Sequence, residues 1–246
     1  MAAGCTLTLS ACGGGGGGDS PGSHTASAPA SSSVTTPVSV VIDAEGDSTM
    51  YGTQSTNGLD PYQTPYNAPA LMQQNLQSYV GQTVTVINDG KPGTSLSNRL
   101  FGTFGDAGVT WQQYLDTTPF QIVIENFGLN DSNPNNVWNE SPADFQWDLT
   151  VFATAAVKAG RVVVFEEPNP CADPVWNAQV AQYSQIIDQV AAQYGIPLVK
   201  QYDYIMSLPN WQSLLIDGLH PTPDLYEIKA SREIAVLLPI VKKLLN

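Results

Sequence analysis

The sequence predicts a three-layer α/β/α sandwich around a parallel sheet of about five strands. Short runs rich in β-branched residues alternate with longer segments whose apolar residues recur with helical spacing. Loops rich in Gly and polar residues follow several of the strands, which is typical of the edge where parallel strands end. Residues 38–246 carry this pattern and are predicted to form one domain, whereas residues 1–37 do not carry it.

The five predicted strands are apolar runs bounded by turn-forming residues. In order, they cover 38–42, 83–87, 120–125, 161–165 and 197–199. The first strand leads into a polar stretch over 43–49, and the second leads into a turn-rich loop over 88–93. Because the carboxyl ends of parallel strands share one edge of the sheet, we expect the loops at these ends to converge.

The predicted helices lie between and after these strands. Ser141-Pro142 and Asp173-Pro174 each begin a long helix, since Pro is favoured in the first turn, and Gly160 and Gly195 end the two helices. In order, the helices cover 68–79, a short segment capped by Thr94 or Ser95, 110–115, 142–158, 174–194, a small segment before Asp217, and 223–245.

The charge balance limits the classes of partner. The 246-residue chain carries a net charge of −13. This argues against nucleic acid, whose binding depends on Lys and Arg that neutralise phosphates. It also disfavours electrostatic attachment to anionic membranes. No apolar run approaches the roughly 20 residues of a membrane-spanning helix. We expect a monomer that acts on a neutral or cationic small molecule or glycan.

The three cysteines are too few for a disulfide framework. Cys5 and Cys12 lie near the start, and Cys171 is alone in the body of the chain. No Cys/His cluster has the spacing of metal ligands, so we expect no metal. A lone Cys171 with a distant His could indicate a thiol nucleophile, but the prolines around it predict an ordinary loop.

The first residues of the chain resemble a targeting signal. Leu9-Ser10-Ala11-Cys12 is similar to a bacterial lipobox, in which the Cys is acylated after signal cleavage. The resemblance implies a lipoprotein of the periplasm or outer membrane, tethered by a flexible linker that extends to Pro37. Eleven residues precede Cys12, and none is basic, so either Met1 is an internal start or the resemblance is accidental. A secreted protein is the second reading and a cytoplasmic protein the third.

Only one histidine lies in a patterned part of the chain. His24 lies in a Gly/Ser/Ala/Pro-rich segment, whereas His220 lies in Asp217-Gly218-Leu219-His220-Pro221-Thr222. If an imidazole transfers protons, His220 must supply it. Asp217 could orient that ring, and Gly218 permits the tight turn that this requires. As an isolated motif, the segment also fits an ordinary surface loop.

Three more polar blocks favour a functional interpretation of this motif. They are Gly46-Asp47-Ser48, Gly93, and Gly128-Leu129-Asn130-Asp131. With the Asp217 block they match, in order, the four signature blocks of the SGNH hydrolases, also called GDSL esterases and lipases. From Val38 to the C-terminus the chain resembles this family, which has an SGNH/flavodoxin-like fold. Two departures stand out: Thr49 replaces the Leu of the family's name, and Gly90 rivals Gly93 for the second block.

The resemblance implies a serine esterase that works through an acyl-enzyme, without a metal or an organic cofactor. Ser48 would be the nucleophile, His220 the general base and then acid, and Asp217 the group that orients the imidazole. The backbone N–H groups of Ser48 and Gly93 and the side-chain amide of Asn130 would form the oxyanion hole. The absence of a lid-sized insertion favours short-chain or O-acetyl glycan esters over triglycerides.

Other readings stay open at this point. Within the fold, an acyltransferase or a thioesterase would use the same three residues, and a non-catalytic glycan-binding module would keep only the fold. Glu45, Glu166 and Glu167 could suggest a two-carboxylate glycosidase, although acidic loop residues are common in so acidic a chain. We interpret Asp47 as a residue that orders its own turn and Trp138 as a candidate for lining a substrate cleft.

Overall fold

The computed structural model describes residues 39–55, 61–137 and 139–246. The strands are β1 (Val40–Gly46), β2 (Thr53–Ser55), β3 (Pro61–Gln63), β4 (Val84–Gly90), β5 (Ile122–Asn126), β6 (Val162–Glu166) and β7 (Leu198–Val199). The α-helices are α1 (Ser48–Tyr51), α2 (Ala68–Val80), α3 (Leu96–Phe101), α4 (Trp111–Thr117), α5 (Pro142–Lys158), α6 (Pro174–Tyr194), α7 (Tyr202–Ser207) and α8 (Pro223–Leu245). Cys5, Cys12, the linker and Trp138 lie outside the described residues, and the expectations for them stay predictions.

The central sheet confirms the predicted fold class. Five parallel strands lie in the order β4-β1-β5-β6-β7. In this register Gly46, the last residue of β1, lies opposite Gly90 of β4 and Asn126 of β5. The chain therefore leaves three adjacent strands at the same level, which brings the first three polar blocks to one edge of the sheet.

Each face of the sheet has its own hydrophobic core. On one face, β1, β4 and β5 pack against Met72 and Leu76 of α2 and against Leu237 and Val241 of α8. On the other face, Val123 of β5 lies in a cluster built mainly from α3, α4, α5 and α6. This burial on both sides explains why the strands read as continuous apolar runs rather than as alternating ones. Within the described ranges, no helix combines the length and apolarity that crossing a bilayer requires.

Two strands are longer than predicted. β1 continues through Asp43-Ala44-Glu45 to Gly46, and β4 continues through Asn88-Asp89 to Gly90. The sequence pattern ended these strands at their last β-branched residue. The acidic residues of β1 are buried nonetheless, because Arg99 of α3 forms an ion pair with Glu45 at 2.8 Å. The antiparallel hairpin of β2 and β3 was not predicted, since three-residue strands carry no readable period.

The long helices begin where their capping residues predict. Ser141, Asp173 and Thr222 are the N-caps of α5, α6 and α8, and each accepts a hydrogen bond from a backbone N–H of the first turn. A proline lies in the first turn of each helix, where its missing N–H costs no hydrogen bond. The last of these helices matters most for the site, because its start lies just beyond His220.

Candidate active site

Ser48 is the first residue of α1, immediately beyond the end of β1. Asp47 caps this helix, accepting hydrogen bonds from the backbone N–H of Thr49 at 2.7 Å and from its hydroxyl at 2.9 Å. Asp47 therefore orders its own turn, as interpreted from the sequence. The turn also requires Gly46, since a Cβ there would lie 2.7 Å from the Cβ of Met50. Ser48 is held rigidly at the sheet edge and is 7% exposed.

His220 lies between Ser48 and Asp217. Its Nε2 is 2.9 Å from Ser48 Oγ, and its Nδ1 is 2.7 Å from Asp217 Oδ2. An ionised carboxylate only accepts hydrogen bonds, so the proton of a neutral imidazole belongs on Nδ1 and leaves Nε2 free to accept from the serine hydroxyl. The structure thus brings together three residues that the sequence separates by up to 172 positions.

The Asp217 carboxylate is fixed by its own turn. Its Oδ1 accepts from the backbone N–H groups of Leu219 at 3.0 Å and His220 at 2.8 Å. Partial burial raises the pKa of Asp217, but these hydrogen bonds and the neighbouring imidazole outweigh that effect and hold the pKa below its usual value. Asp217 is therefore ionised near neutral pH, as an acceptor for Nδ1–H must be.

The loop that carries His220 is held in place by the segment that follows β6. Gly218 has a left-handed φ of +82°, and a Cβ there would meet the Cβ of Ala172 at 3.1 Å. The carbonyl of Gly218 accepts from the N–H of Ala172 at 2.7 Å, and the carbonyl of Leu219 accepts from the Asn169 amide at 3.0 Å. The sequence analysis missed Ala172 and Asn169, because nothing in a single sequence indicates which loop will lie against which.

Asn130 lies next to the loop that contains Gly93. Asn130 Nδ2 donates to the carbonyl of Thr94 at 2.9 Å, which fixes the amide beside Gly93. Gly93 has a φ of +82°, a backbone conformation that favours glycine. Its rival Gly90 lies in β4, donates its N–H to Asn88 Oδ1 at 3.2 Å, and packs against the backbone of α1. The geometry therefore favours Gly93 as the residue with a donor to offer.

Asp131 joins the second and third blocks. One of its carboxylate oxygens accepts from the N–H of Leu96 at 2.7 Å, and the other accepts from the N–H of Gly128 at 2.8 Å. Burial raises the pKa of Asp131 to about 7, although these two hydrogen bonds act in the opposite direction. Asp131 therefore orders the loop that carries Asn130, and it also anchors the start of α3.

Two buried ion pairs hold the strands that end at the site. Arg99 pairs with Glu45 of β1, and its guanidinium stacks on Tyr114 with its carbon 4.2 Å from the ring centre. Lys229 of α8 lies 3.1 Å from Glu166 of β6 and is fully buried. The sequence analysis did not single out either basic residue. The available signal was scarcity: the chain has only nine Lys and Arg, and these two lie among apolar helix positions.

Lys229 also reaches the block of the nucleophile. Its Nζ lies 3.4 Å from Asn126 Oδ1, and the Thr49 hydroxyl, which shares its one proton with Asp47, lies 3.2 Å from this same oxygen. A continuous polar chain therefore leads from α8, the helix that follows His220, to the residue beside Ser48. The Thr at position 49, which departs from the family name's Leu, contributes its hydroxyl to this chain.

Alternative chemistries find little support in the geometry. Burial raises the pKa of Cys171 to about 11, so its thiol stays protonated and is a poor nucleophile. Glu45 and Glu166 are strand residues paired with Arg99 and Lys229 rather than loop residues facing a cleft. Among described residues, oxygens of Asp43, Glu45 and Asp89 lie within 4.8 Å of one another, as a metal site requires. Arg99 and Lys91 lie against this group, with Nε 2.8 Å from Glu45 and Nζ 3.0 Å from Asp89, and their positive charges oppose the binding of a metal ion.

Comparison with known proteins gives one family match and several similar solved structures. Residues 44–228 match the model of the GDSL-like lipase/acylhydrolase family. No significant match was found among curated proteins. Similar solved structures include a lipase/acylhydrolase from Enterococcus faecalis, with 20% identity, a TM-score of 0.65, and coverage of 82% of this chain and 97% of that chain.

Two further solved structures are named as carbohydrate-active esterases. An acetylxylan esterase from Geobacillus stearothermophilus has 16% identity and a TM-score of 0.64, covering 82% of this chain and 96% of that one. A carbohydrate acetylesterase from Sinorhizobium meliloti has 16% identity and a TM-score of 0.61, covering 82% and 99%. At these identities the structural similarity shows the fold alone. The family match, however, spans all four blocks and about three quarters of the chain, and the chain therefore belongs to the GDSL-like lipase/acylhydrolase family of hydrolases.

Proposed function

We propose that the protein hydrolyses carboxylic esters through an acyl-enzyme formed on Ser48. The observation that carries this proposal is the continuous contact from Ser48 Oγ to His220 Nε2 at 2.9 Å and from His220 Nδ1 to Asp217 at 2.7 Å. A serine hydroxyl is a weak nucleophile unless a base accepts its proton. Here the base is in hydrogen-bonding distance, and a carboxylate orients it.

In the first half-reaction His220 Nε2 takes the proton of Ser48 as Oγ attacks the carbonyl carbon of the ester. The carbonyl oxygen becomes an oxyanion, which the N–H groups of Ser48 and Gly93 and the Asn130 amide stabilise. His220 then gives its proton to the leaving alcohol as the C–O bond breaks. The acyl group stays on Ser48 Oγ.

In the second half-reaction a water molecule takes the place of the alcohol. His220 accepts a proton from this water as its oxygen attacks the acyl carbon, and the same donors stabilise the second oxyanion. The proton then passes to Ser48 Oγ, which leaves and frees the acid. Asp217 stays ionised throughout, holding the imidazole tautomer and stabilising the imidazolium.

We place the substrate among short-chain esters or O-acetylated glycans. The solved structures named as acetylxylan esterase and carbohydrate acetylesterase, which share this chain's fold, motivate this choice. A chain with net charge −13 also fits a neutral substrate better than an anionic one.

Hydrolysis of p-nitrophenyl acetate by wild type and Ser48→Ala tests the proposal. We expect release of p-nitrophenol by wild type and loss of several orders of magnitude in kcat for the variant. A matched Ser97→Ala substitution, in α3, should leave the rate unchanged. Equal hydrolysis by wild type and Ser48→Ala, or none by either, would refute the esterase and favour a binding module with the same fold.

We also propose that the protein acts outside the cytoplasm, tethered through an acylated Cys12. This proposal rests on the lipobox-like Leu9-Ser10-Ala11-Cys12 alone. Metabolic labelling with a palmitate analogue should mark the protein in its native host, and Cys12→Ala should abolish the label. An unlabelled wild-type protein would remove the anchor from consideration.

A further inference from the structure

A hollow of about 290 Å³ lies beside the candidate active site. Its walls are Tyr51, Thr53, Pro61, Tyr62 and Pro92. The two residues at 61 and 62 come from β3 of the short hairpin, and Thr53 comes from β2. Its volume is near the lower end of the range for small-ligand pockets, so it suits one or two rings rather than an extended chain.

The walls of this hollow belong to the segments that carry the reacting groups. Tyr51 is the last residue of the four-residue helix that begins at Ser48. Pro92 immediately precedes Gly93. The hairpin is fixed to the His220 loop, because Gln54 Nε2 donates to the carbonyl of Pro221 at 3.0 Å. The hollow is therefore bounded by the nucleophile's helix, the oxyanion loop and a hairpin attached beside the base.

The lining consists mainly of flat ring surfaces. Two tyrosine and two proline rings form most of the walls, and Tyr62 is 44% exposed. Thr53 is only 7% exposed, and its hydroxyl oxygen has almost no accessible surface. A ligand in the hollow therefore meets the faces and edges of the rings.

We propose that this hollow binds a sugar ring of the alcohol that the enzyme releases. A pyranose or furanose ring has C–H faces that stack on aromatic rings such as that of Tyr62. The proposal rests on the esterase function proposed above and specifies its substrate: an O-acetylated glycan rather than an ester of a simple alcohol.

The alcohol side is preferred over the acyl side for a geometric reason. The leaving oxygen must lie near His220 Nε2, which protonates it. The hairpin that bears Tyr62 and Thr53 is bonded to Pro221, the residue next to His220. Tyr62 strengthens this connection, since its hydroxyl donates to Gln54 Oε1 at 3.3 Å. The hollow is thus connected by hydrogen bonds to the segment that carries the base.

Kinetics with three substrates test the proposal. Glucose pentaacetate and ethyl acetate share the acetyl group and differ in the alcohol, whereas ethyl butyrate differs from ethyl acetate in the acyl group. Acid release by wild type, Tyr62→Ala and the control Tyr79→Ala is followed by titration at constant pH. Tyr79 is a tyrosine of α2 that is 62% exposed and lies outside the hollow's walls.

We expect Tyr62→Ala to lower kcat/KM for glucose pentaacetate about tenfold through KM, at the scale of one aromatic contact. Tyr62→Ala should not change kcat/KM for ethyl acetate by more than about twofold, and Tyr79→Ala should match wild type on all three substrates. An equal loss on ethyl acetate and glucose pentaacetate would overturn the proposal. So would a loss confined to ethyl butyrate, which would make the hollow an acyl pocket.

A binding measurement separates failure of this proposal from failure of the esterase proposal. Methyl glucoside carries no ester, so saturation-transfer NMR detects its binding whether or not the protein is an enzyme. We expect a signal with Ser48→Ala, and its loss in Ser48→Ala/Tyr62→Ala. Absence of sugar binding by Ser48→Ala overturns the subsite even if wild type hydrolyses esters. Sugar binding that depends on Tyr62, in a protein that hydrolyses no ester, supports the subsite and refutes only the enzyme.

Discussion

Ser48 and His220 share one proton, and their substitutions should therefore not add. Each of Ser48→Ala and His220→Ala removes the step in which the hydroxyl is activated, so each should lower kcat by several orders of magnitude. The double variant should cost little more than either single variant. Steady-state kinetics on p-nitrophenyl acetate measures all three.

Thermal unfolding of the same three variants is the control. The fold should persist in each of them, so their melting temperatures should stay close to that of wild type. Multiplicative losses in the double variant would contradict the shared-proton mechanism and indicate two independent contributions.

Asn130→Ala should isolate one oxyanion donor. Loss of a single donor of this kind costs about 2.7–4 kcal/mol of transition-state stabilisation, or about 10²–10³ in kcat. KM should change little, because the interaction strengthens only as charge develops on the carbonyl oxygen. The hydrogen bond from Asn130 to the Thr94 carbonyl is also lost, so a melting curve must accompany the kinetics. A near-wild-type kcat in a folded variant would remove Asn130 from the oxyanion hole.

Only the site residues that belong to a sequence motif could be predicted from the sequence. The structure places Ser48, Gly93, Asn130, Asp217 and His220 at one edge of the sheet, where the motif order led us to expect them. The residues that position them carry no motif. Asn169 and Lys229 act through contacts across long sequence separations, 50 residues for Asn169 to Leu219 and 103 for Lys229 to Asn126.

α8 is tied to the sheet by one buried ammonium group. Lys229 Nζ lies 3.1 Å from Glu166 Oε1, and both side chains are fully buried. Glu233 adds a second carboxyl to this site, and burial together with Glu166 raises its pKa well above the usual value, which favours its neutral form. The opposite charges of Lys229 and Glu166 therefore offset each other in the interior, on the face of the sheet that α2 and α8 cover.

Lys229→Met should leave the Glu166 carboxylate buried without a counter-charge. Breaking a buried pair in this way costs about 3–5 kcal/mol in the free energy of unfolding. Lys229→Met/Glu166→Gln should recover much of the loss, because no uncompensated charge remains. Urea unfolding followed by circular dichroism measures both. A loss below about 1 kcal/mol for Lys229→Met would contradict the role assigned to this pair.

The elements themselves were predicted well where the signals are local. The bounds of α5, α6 and α8 follow from a capping residue with a proline after it, and the predictions are confirmed to the residue at their starts. The ends of β1 and β4 were wrong because their burial depends on partners elsewhere in the chain. Arg99, 54 residues beyond Glu45, is what allows a glutamate to lie inside β1.

The molecule as a whole buries many carboxyl groups whose protonated form folding favours. Burial raises the pKa of Glu125 from 4.5 to about 8. Burial likewise raises the pKa of Asp131, Glu140 and Glu167. Between the unfolded and folded pKa values, such a group holds its proton in the native state and loses it on unfolding. Its contribution to stability is complete below the unfolded pKa and is lost as pH rises through the folded pKa.

We therefore expect the free energy of unfolding to fall as pH rises from about 5 to about 8, the window set by Glu125. Asp217 acts in the opposite direction, since its lowered pKa contributes stability that is lost only as pH falls below its usual value. Urea unfolding at several pH values measures the slope. Glu125→Gln should flatten the slope by up to about 1.4 kcal/mol per pH unit, whereas the exposed Glu227→Gln should not. Stability that rises with pH over this window would contradict the assignment.

The contact between Ser48 and His220 has a consequence for the timing of biosynthesis. The base follows the nucleophile by 172 residues. At about 5–20 residues per second, a ribosome needs roughly ten to thirty seconds to make that stretch. During this interval Ser48 is an ordinary alcohol with no group to accept its proton. An ester-cleaving centre that is assembled in this way is inactive on the nascent chain. The onset of activity therefore indicates that the segment leading into the last helix has folded into place.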